Sequence, residues 1–141
     1  MFFGASAFNQ PIGGWSVDKV TDMCAMFFGA SAFNQPLGDW RVDKVTTMNC
    51  MFANASAFNQ PLGAWRVDQV TNMSYMFWGA SAFNQPLGDW RLGSNCYTQD
   101  MFAGTDFQNS RPVESCCAIS YIRPRPPFAD RFVTSSRKFM T

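Results

Sequence analysis

The sequence predicts a repeat solenoid in which each 25-residue coil contains a short helix, a turn and a short strand. One observation is a fixed period: Phe-Asn-Gln-Pro occurs at residues 8–11, 33–36, 58–61 and 83–86. A constant period in the twenties is typical of chains that stack one small unit. The other observation is composition, since 47% of residues are hydrophobic and 16% aromatic against 15% charged. Stacked units of this composition have enough apolar surface to share one core.

The first element of each unit is predicted to be a short amphipathic helix. Its apolar residues lie three and four positions apart, which is the spacing of one helix face. In one unit these residues are Val20, Met23, Met26, Phe27 and Ala30. Thr21 is placed to cap the N-terminus, and Gly29 is placed to end the helix with a positive φ. Thr46 and Thr71 repeat the cap, Gly79 repeats the stop, and Asn54 takes the stop position in the third unit.

A short extended segment and a turn follow the predicted helix. Pro36 has no backbone donor, which excludes a long central strand and leaves a parallel ladder of two or three residues near Phe33. Gly38-Asp39 forms the turn, and Trp40 returns the chain to the next helix. We expect the phenylalanine and tryptophan columns to face the core and the asparagines to form a ladder that satisfies turn backbone groups. These columns are Phe8, Phe33, Phe58 and Phe83; Trp15, Trp40, Trp65 and Trp90; Asn9, Asn34, Asn59 and Asn84. A tryptophan platform for carbohydrate and a solvent-facing asparagine row for a ligand are the alternatives.

The repeat decays towards the C-terminus, which divides the chain into two parts. Residues 1–110 are the repeat solenoid, about four units with the last one degenerate. Residues 111–141 have no period and are rich in proline, so we expect a disordered tail, with a divergent cap or non-homologous read-through as alternatives. Met1 falls on the same column as Met26, and we therefore expect a fragment of a longer array or a truncated gene model. Such an array exposes apolar surface and unpaired backbone at its ends, so we expect self-association there.

The composition argues against catalysis, metal binding and nucleic-acid binding. The chain has no histidine, the commonest general base and metal ligand. Its five cysteines include no CxxC pair that could begin a zinc site. We expect no enzyme activity, no catalytic residue, no cofactor and no metal. A net charge of +1 does not favour a nucleic-acid partner, and no run reaches the roughly 18 apolar residues that span a bilayer.

The unit W-x-V-x-x-V-T-x-M-x-x-MF-x-x-A-x-x-FNQPL resembles the BspA-like leucine-rich-repeat surface proteins. It looks closest to the branch in which Trp, Met and Phe occupy many leucine positions. The resemblance covers residues 1–92 and continues faintly to about residue 109. It implies a right-handed, leucine-rich-repeat-like solenoid and an exported protein that adheres or binds to other proteins. The chain as given shows no signal peptide, so a cell-surface or extracellular location follows only if its N-terminus is truncated.

Positions that differ between units are where a repeat scaffold can hold binding specificity. Tyr75 and Trp78 would give an aromatic spot of the kind found at protein-binding hot spots. The candidate binding surface comprises Phe28, Arg41, Arg66, Tyr75, Trp78 and Arg91. The predicted function is a non-enzymatic module that binds a protein or glycan. The alternative is a structural spacer with no ligand, in which these positions drift on a solvated face.

Overall fold

The computed structural model describes residues 1–108 and 112–114 of the chain. Within these residues there is no helix, and the strands are β1 at Arg91–Leu92 and β2 at Val113–Glu114. The two strands pair in parallel, with Arg91 opposite Val113. Isolated parallel bridges join Asp22 to Thr47, Thr47 to Asn72 and Asn72 to Tyr97. The predicted leucine-rich-repeat-like solenoid, with a helix and a strand in each coil, is therefore wrong.

A chain of tight turns occupies the segment where the helix was predicted. The N–H groups of Met26, Phe28 and Ala30 each donate to the carbonyl three residues earlier, at 3.3, 3.2 and 3.0 Å. The residues that alternate with them donate outside their own unit. The Ala25 N–H donates to Asn49 O at 2.9 Å, and the Phe27 N–H donates to Met51 O at 2.9 Å. Donors that an α-helix would direct four residues back therefore bond to the next unit.

Hydrogen bonds between residues 24 to 26 positions apart hold successive units side by side, and we call each 25-residue unit a coil. The predicted threonine caps belong to this system: the N–H and Oγ1 of Thr46 both donate to Thr21 O, at 2.8 and 3.1 Å. Thr71 donates to Thr46 O in the same way. The predicted capping role is wrong because there is no helix to cap.

Left-handed backbone explains why a helix cannot form here. Ala25 has a φ of 50°, in the middle of the predicted helix, and Gly29 has a φ of 68°. A right-handed helix does not accommodate such residues. The positive φ predicted for Gly29 and Asn54 is confirmed, with 58° at Asn54, but both residues shape turns inside the coil.

The asparagine column forms the predicted ladder. The backbone N–H of Asn34, Asn59 and Asn84 each donates at 2.9 Å to the Oδ1 of the asparagine one coil earlier. The ladder continues to the N–H of Gln108, which donates to Asn84 Oδ1 at 3.0 Å. The ladder satisfies backbone donors as predicted, although its side chains lie at the surface or half-buried.

Two phenylalanine ladders form the centre of the core. Phe33, Phe58 and Phe83 are fully buried, and the ring centroids of successive members are 5.9 and 6.0 Å apart. A second ladder runs beside it, because Phe52 lies 4.1 Å from Phe58, and Phe77 lies 3.9 Å from Phe83. These distances place the rings in stacked contact both along and between the ladders.

Three of the four tryptophans lie in the core, as predicted. Trp40, Trp65 and Trp90 are buried, and the indole N–H of each donates to a carbonyl of the preceding coil. The acceptors are the carbonyls of Ile12, Leu37 and Leu62. The prediction is wrong for Trp15 in the first coil, whose side chain is 45% exposed.

The substitution Ala25→Gly is expected to raise the free energy of unfolding by about 0.5–1 kcal/mol. At a φ of 50° a Cβ is disfavoured, and glycine relieves that strain. In a helix the same substitution would lower the free energy of unfolding by about 1 kcal/mol. The sign of the measured change therefore distinguishes a turn from a helix at Ala25. Denaturant unfolding measures the change. Ala32→Gly is the control, because Ala32 is exposed and has no positive φ, and it should lower stability slightly. A loss of stability in Ala25→Gly would contradict the turn.

Candidate functional site

The repeated polar residues are engaged in hydrogen bonds between coils. Ser31 Oγ donates to Ser6 O at 3.2 Å, and Gln60 Nε2 donates to Asn34 O at 3.1 Å. With the threonine, asparagine and tryptophan bonds described above, these contacts give the repeated columns a structural role. Candidates for recognition are therefore the positions where the units differ.

Trp78 is the most prominent of the varied positions. It is 44% exposed, although its segment has a hydrogen-bonded neighbour on each side: the Asn54 N–H donates to Trp78 O at 2.7 Å, and the Gly79 N–H donates to Ala103 O at 2.9 Å. The other exposed large hydrophobic residues belong to the first and last described coils; they are Met1, Phe3, Trp15 and Tyr97. Ala53 holds the same position one coil earlier and is fully buried, and Phe28 holds it one coil before that. Phe28 is half-buried and stacks on Phe3, with ring centroids 4.8 Å apart.

Tyr75 lies beside Trp78 because one tight turn joins them. The Trp78 N–H donates to Tyr75 O at 3.1 Å, while the Tyr75 N–H donates to Gln99 O at 2.8 Å. The Tyr75 hydroxyl accepts a hydrogen bond from Gln99 Nε2 at 3.0 Å, which holds the ring in place. Tyr75 has a φ of 58°, uncommon for a bulky residue. We call Tyr75 and Trp78 the aromatic surface; Phe28 lies two coils earlier, beyond the buried Ala53.

The arginine stripe, Arg41, Arg66 and Arg91, is exposed to solvent and lies on a different segment of the repeat from Tyr75 and Trp78. In the third coil, a turn closed by the Val70 N–H and Val67 O separates Arg66 from the segment that carries Tyr75. Arg66 Nε lies 3.9 Å from Asp68 Oδ1, and Arg91 Nη1 donates to Gly88 O at 3.4 Å. An exposed pair such as Arg66–Asp68 contributes little to stability. Among the six predicted residues, Tyr75 and Trp78 share one turn, while Phe28 and the three arginines lie on other segments.

Tyr97 is a surface aromatic residue outside the candidate binding surface predicted from the sequence. It is 66% exposed and forms a parallel bridge with Asn72. It therefore continues the varied column of Asp22, Thr47 and Asn72 into the fourth coil. Tyr97 lies 25 residues after Asn72, so the repeat period already placed it on this column. The repeat motif around Tyr97 has decayed, however, and its alignment with the earlier units could not be recognised from the sequence.

The carboxyl of Asp68 has a lowered pKa, and its hydrogen bonds explain the direction. The largest cause is the bond from Gln69 Nε2, at 3.1 Å, followed by a backbone hydrogen bond, with Arg66 contributing least. The pKa of Asp68 is lower in the folded chain than in the unfolded chain, so ionised Asp68 stabilises the fold. This stabilisation is fully present above the unfolded-state pKa and is lost as the pH falls through the folded-state pKa.

Replacement of Gln69 by alanine is expected to raise the pKa of Asp68 more than replacement of Arg66 by alanine does. The hydrogen bond acts on the carboxylate directly, whereas the arginine is solvent-screened at 3.9 Å. An NMR titration of the Asp68 side chain in the two variants measures the difference. A larger rise in Arg66→Ala would show that the ion pair, not the amide, controls this group.

The described residues offer shallow clefts rather than a ligand pocket. Two of these clefts have volumes of about 180 and 210 Å³, below the roughly 300–1,000 Å³ of small-molecule sites. Over the same part of the chain, no group of three or more His, Cys, Asp or Glu residues could hold a metal ion. Nor does that part contain a helix that could cross a membrane.

A family model described as "Mycoplasma protein of unknown function, DUF285" matches residues 1–114. The chain belongs to this family. The predicted membership of the BspA-like leucine-rich-repeat proteins is therefore wrong. The DUF285 match includes Val113–Glu114, the strand that pairs with Arg91–Leu92. No curated protein and no solved structure matches the chain. Apart from residues 112–114, the predicted disordered tail lies outside the described residues.

Proposed function

We propose that this DUF285 chain is a non-enzymatic interaction module that binds a protein or glycan ligand through its aromatic surface. The observation that carries the proposal is the exposure of Trp78, which shares a turn with Tyr75 on a segment that has a hydrogen-bonded neighbour on each side. Tyrosine and tryptophan are enriched among the residues that dominate binding energy, because they bury a large area with few rotatable bonds. The repeated columns serve the core and the backbone, which leaves the varied aromatic residues for recognition.

The chemistry of the side chains supports a binding role rather than catalysis. The sequence contains no histidine, and the shifted carboxyl of Asp68 is exposed. Burial raises the pKa of the Cys50 thiol, and the neighbouring Cys24 raises it further. Catalytic cysteines have the opposite shift, because the thiolate is the nucleophile.

The aromatic surface is a better candidate than the arginine stripe. Each coil that carries an arginine also presents exposed acidic residues close to it, such as Asp43 near Arg41 and Asp68 near Arg66. Mixed charges of this kind are typical of a solvated rim. The predicted self-association through the ends of the stack stays a prediction, supported by the exposed Phe3 and Trp15 of the first coil.

Binding is tested by immobilising the full chain and screening panels of proteins and glycans. For any retained ligand, Tyr75→Ala/Trp78→Ala is expected to weaken affinity by about thirty-fold or more, the loss typical of a hot spot. Arg66→Ala is the control, because Arg66 is exposed but lies on a different segment from Tyr75 and Trp78. It should change affinity by only a few-fold. Thermal unfolding of each variant confirms that it is folded. Equal retention of wild type and double variant would favour the structural spacer.

A further inference from the structure

Cys24 and Cys50 lie on neighbouring coils, at positions that the backbone brings side by side. The Ala25 N–H donates to Asn49 O at 2.9 Å. This bond joins the peptide group between residues 24 and 25 to the peptide group between residues 49 and 50. Hydrogen-bonded parallel backbones lie about 4.8 Å apart. The two cysteines are therefore diagonal neighbours across one hydrogen bond.

The diagonal suits a disulfide. Consecutive Cα atoms are about 3.8 Å apart, so with a lateral spacing of about 4.8 Å the Cα atoms of Cys24 and Cys50 are about 6 Å apart. Disulfides join Cα atoms about 4.4–6.8 Å apart. Cys24 is exposed and Cys50 is half-buried, so a small reagent can reach the pair from solvent. The influence of Cys24 on the pKa of Cys50 is consistent with this proximity.

We propose that Cys24 and Cys50 form a redox site, in which a low-molecular-weight disulfide such as oxidised glutathione oxidises the two thiols to a disulfide between the first two coils. The inference is independent of the proposed binding function. Neither residue belongs to a repeated column, and the hydrogen bond that Cys50 makes to the next coil comes from its backbone N–H, not from its thiol.

The reaction balances in two exchange steps. The thiolate of Cys24, the more exposed residue, attacks oxidised glutathione, forms a mixed disulfide and releases one glutathione thiolate. Cys50 then loses its proton and attacks the Cys24 sulfur, which releases the second glutathione. Two protein thiols are oxidised, one glutathione disulfide is reduced, and the two thiol protons end on two glutathione molecules.

Cys96 is the internal control for this geometry. The Tyr97 N–H donates to Thr71 O at 2.9 Å, which places Cys96 beside the third coil. Cys50 instead lies beside Tyr75, because its N–H donates to Ser74 O at 3.0 Å. Cys96 is thus separated from Cys50 by the width of a coil. Cys116 and Cys117 lie outside the described residues and are replaced by serine in one variant of the experiment.

The full chain is incubated with oxidised glutathione, alkylated and digested with trypsin without reduction. Cleavage after Lys19, Arg41, Lys44 and Arg66 puts Cys24 in peptide 20–41 and Cys50 in peptide 45–66. Mass spectrometry is expected to show these peptides linked as the main disulfide product of the folded protein. In guanidinium chloride, the linkage should be spread over many cysteine pairs. Two separate glutathione adducts, or no preference for this link over the unfolded sample, would overturn the proposal.

Thermal unfolding provides a second readout, because a disulfide that closes a loop of this length restricts the unfolded chain. In the Cys116→Ser/Cys117→Ser background, oxidation is expected to raise the Tm by about 5–15 °C. Cys24→Ser and Cys50→Ser should each abolish this rise, while Cys96→Ser should preserve it. A rise that persists in Cys50→Ser would assign the effect to another pair and contradict the proposal.

Discussion

Replacing Phe58 by alanine is expected to lower the free energy of unfolding by about 3–5 kcal/mol. Phe58 is fully buried, and its ring lies 5.9 Å from Phe33, 6.0 Å from Phe83 and 4.1 Å from Phe52. Alanine would leave a cavity bounded by stacked rings on three sides. Those rings are held at fixed register by the coils, so the cavity cannot close without moving both ladders. Chemical denaturation monitored by tryptophan fluorescence measures the loss.

Phe3→Ala is the matched control for Phe58→Ala. Phe3 also stacks on one ring, that of Phe28 at 4.8 Å, but it is 67% exposed. Its removal deletes one aromatic contact and leaves no closed cavity, so the expected loss is about 1 kcal/mol or less. Similar losses in the two variants would contradict the buried double ladder.

The repeat period and most inward-facing columns could be predicted from the sequence. Apolar residues that recur at Phe33, Phe58 and Phe83 indicate burial whatever the backbone conformation, and the structure buries all three. The asparagine ladder was predictable for a similar reason. A short amide side chain repeated at a turn has a backbone group to satisfy, and Asn59 Oδ1 accepts the Asn84 N–H.

The local conformation could not be predicted from the same pattern. A spacing of three and four residues is produced by an α-helix, but also by consecutive turns that close three residues back, as at Met26 and Ala30. The left-handed residues that decide between them are Ala25, Cys50 and Tyr75. None is a glycine, so the sequence gives no local signal of positive φ. Backbone N–H groups such as that of Ala25 donate to the next coil. This bonding depends on an acceptor 24 residues away, which a local sequence pattern does not show.

The candidate site was predictable in part. Variation between units selected Tyr75 and Trp78, which a tight turn brings together on the surface. Variation between units does not show which exposed positions are neighbours in space. The prediction therefore grouped Arg66 with Tyr75 and Trp78, although a turn separates Arg66 from Tyr75 along the chain. The DUF285 family was not predicted either, because the repeated core residues indicate burial and do not identify a family.

Replacing Trp65 by alanine is expected to have an effect similar to that of Phe58→Ala, about 3–5 kcal/mol. Trp65 is buried and stacks on Trp90, with ring centroids 6.4 Å apart and planes 3° from parallel. Its indole N–H donates to Leu37 O at 3.0 Å. Alanine removes the largest side chain of the coil and also withdraws one donor from this carbonyl, which keeps its bond from the Trp40 N–H. Equilibrium denaturation followed by circular dichroism measures the change.

Trp15→Ala is the control at the same position of the first coil, because Trp15 is 45% exposed. With about half of the ring already in water, its removal should lower the free energy of unfolding by about 1–2 kcal/mol. The two substitutions delete the same atoms at equivalent positions, so their difference measures burial by the neighbouring coils. Equal losses would mean that Trp65 is no better packed than Trp15, which would contradict the stacking of successive coils.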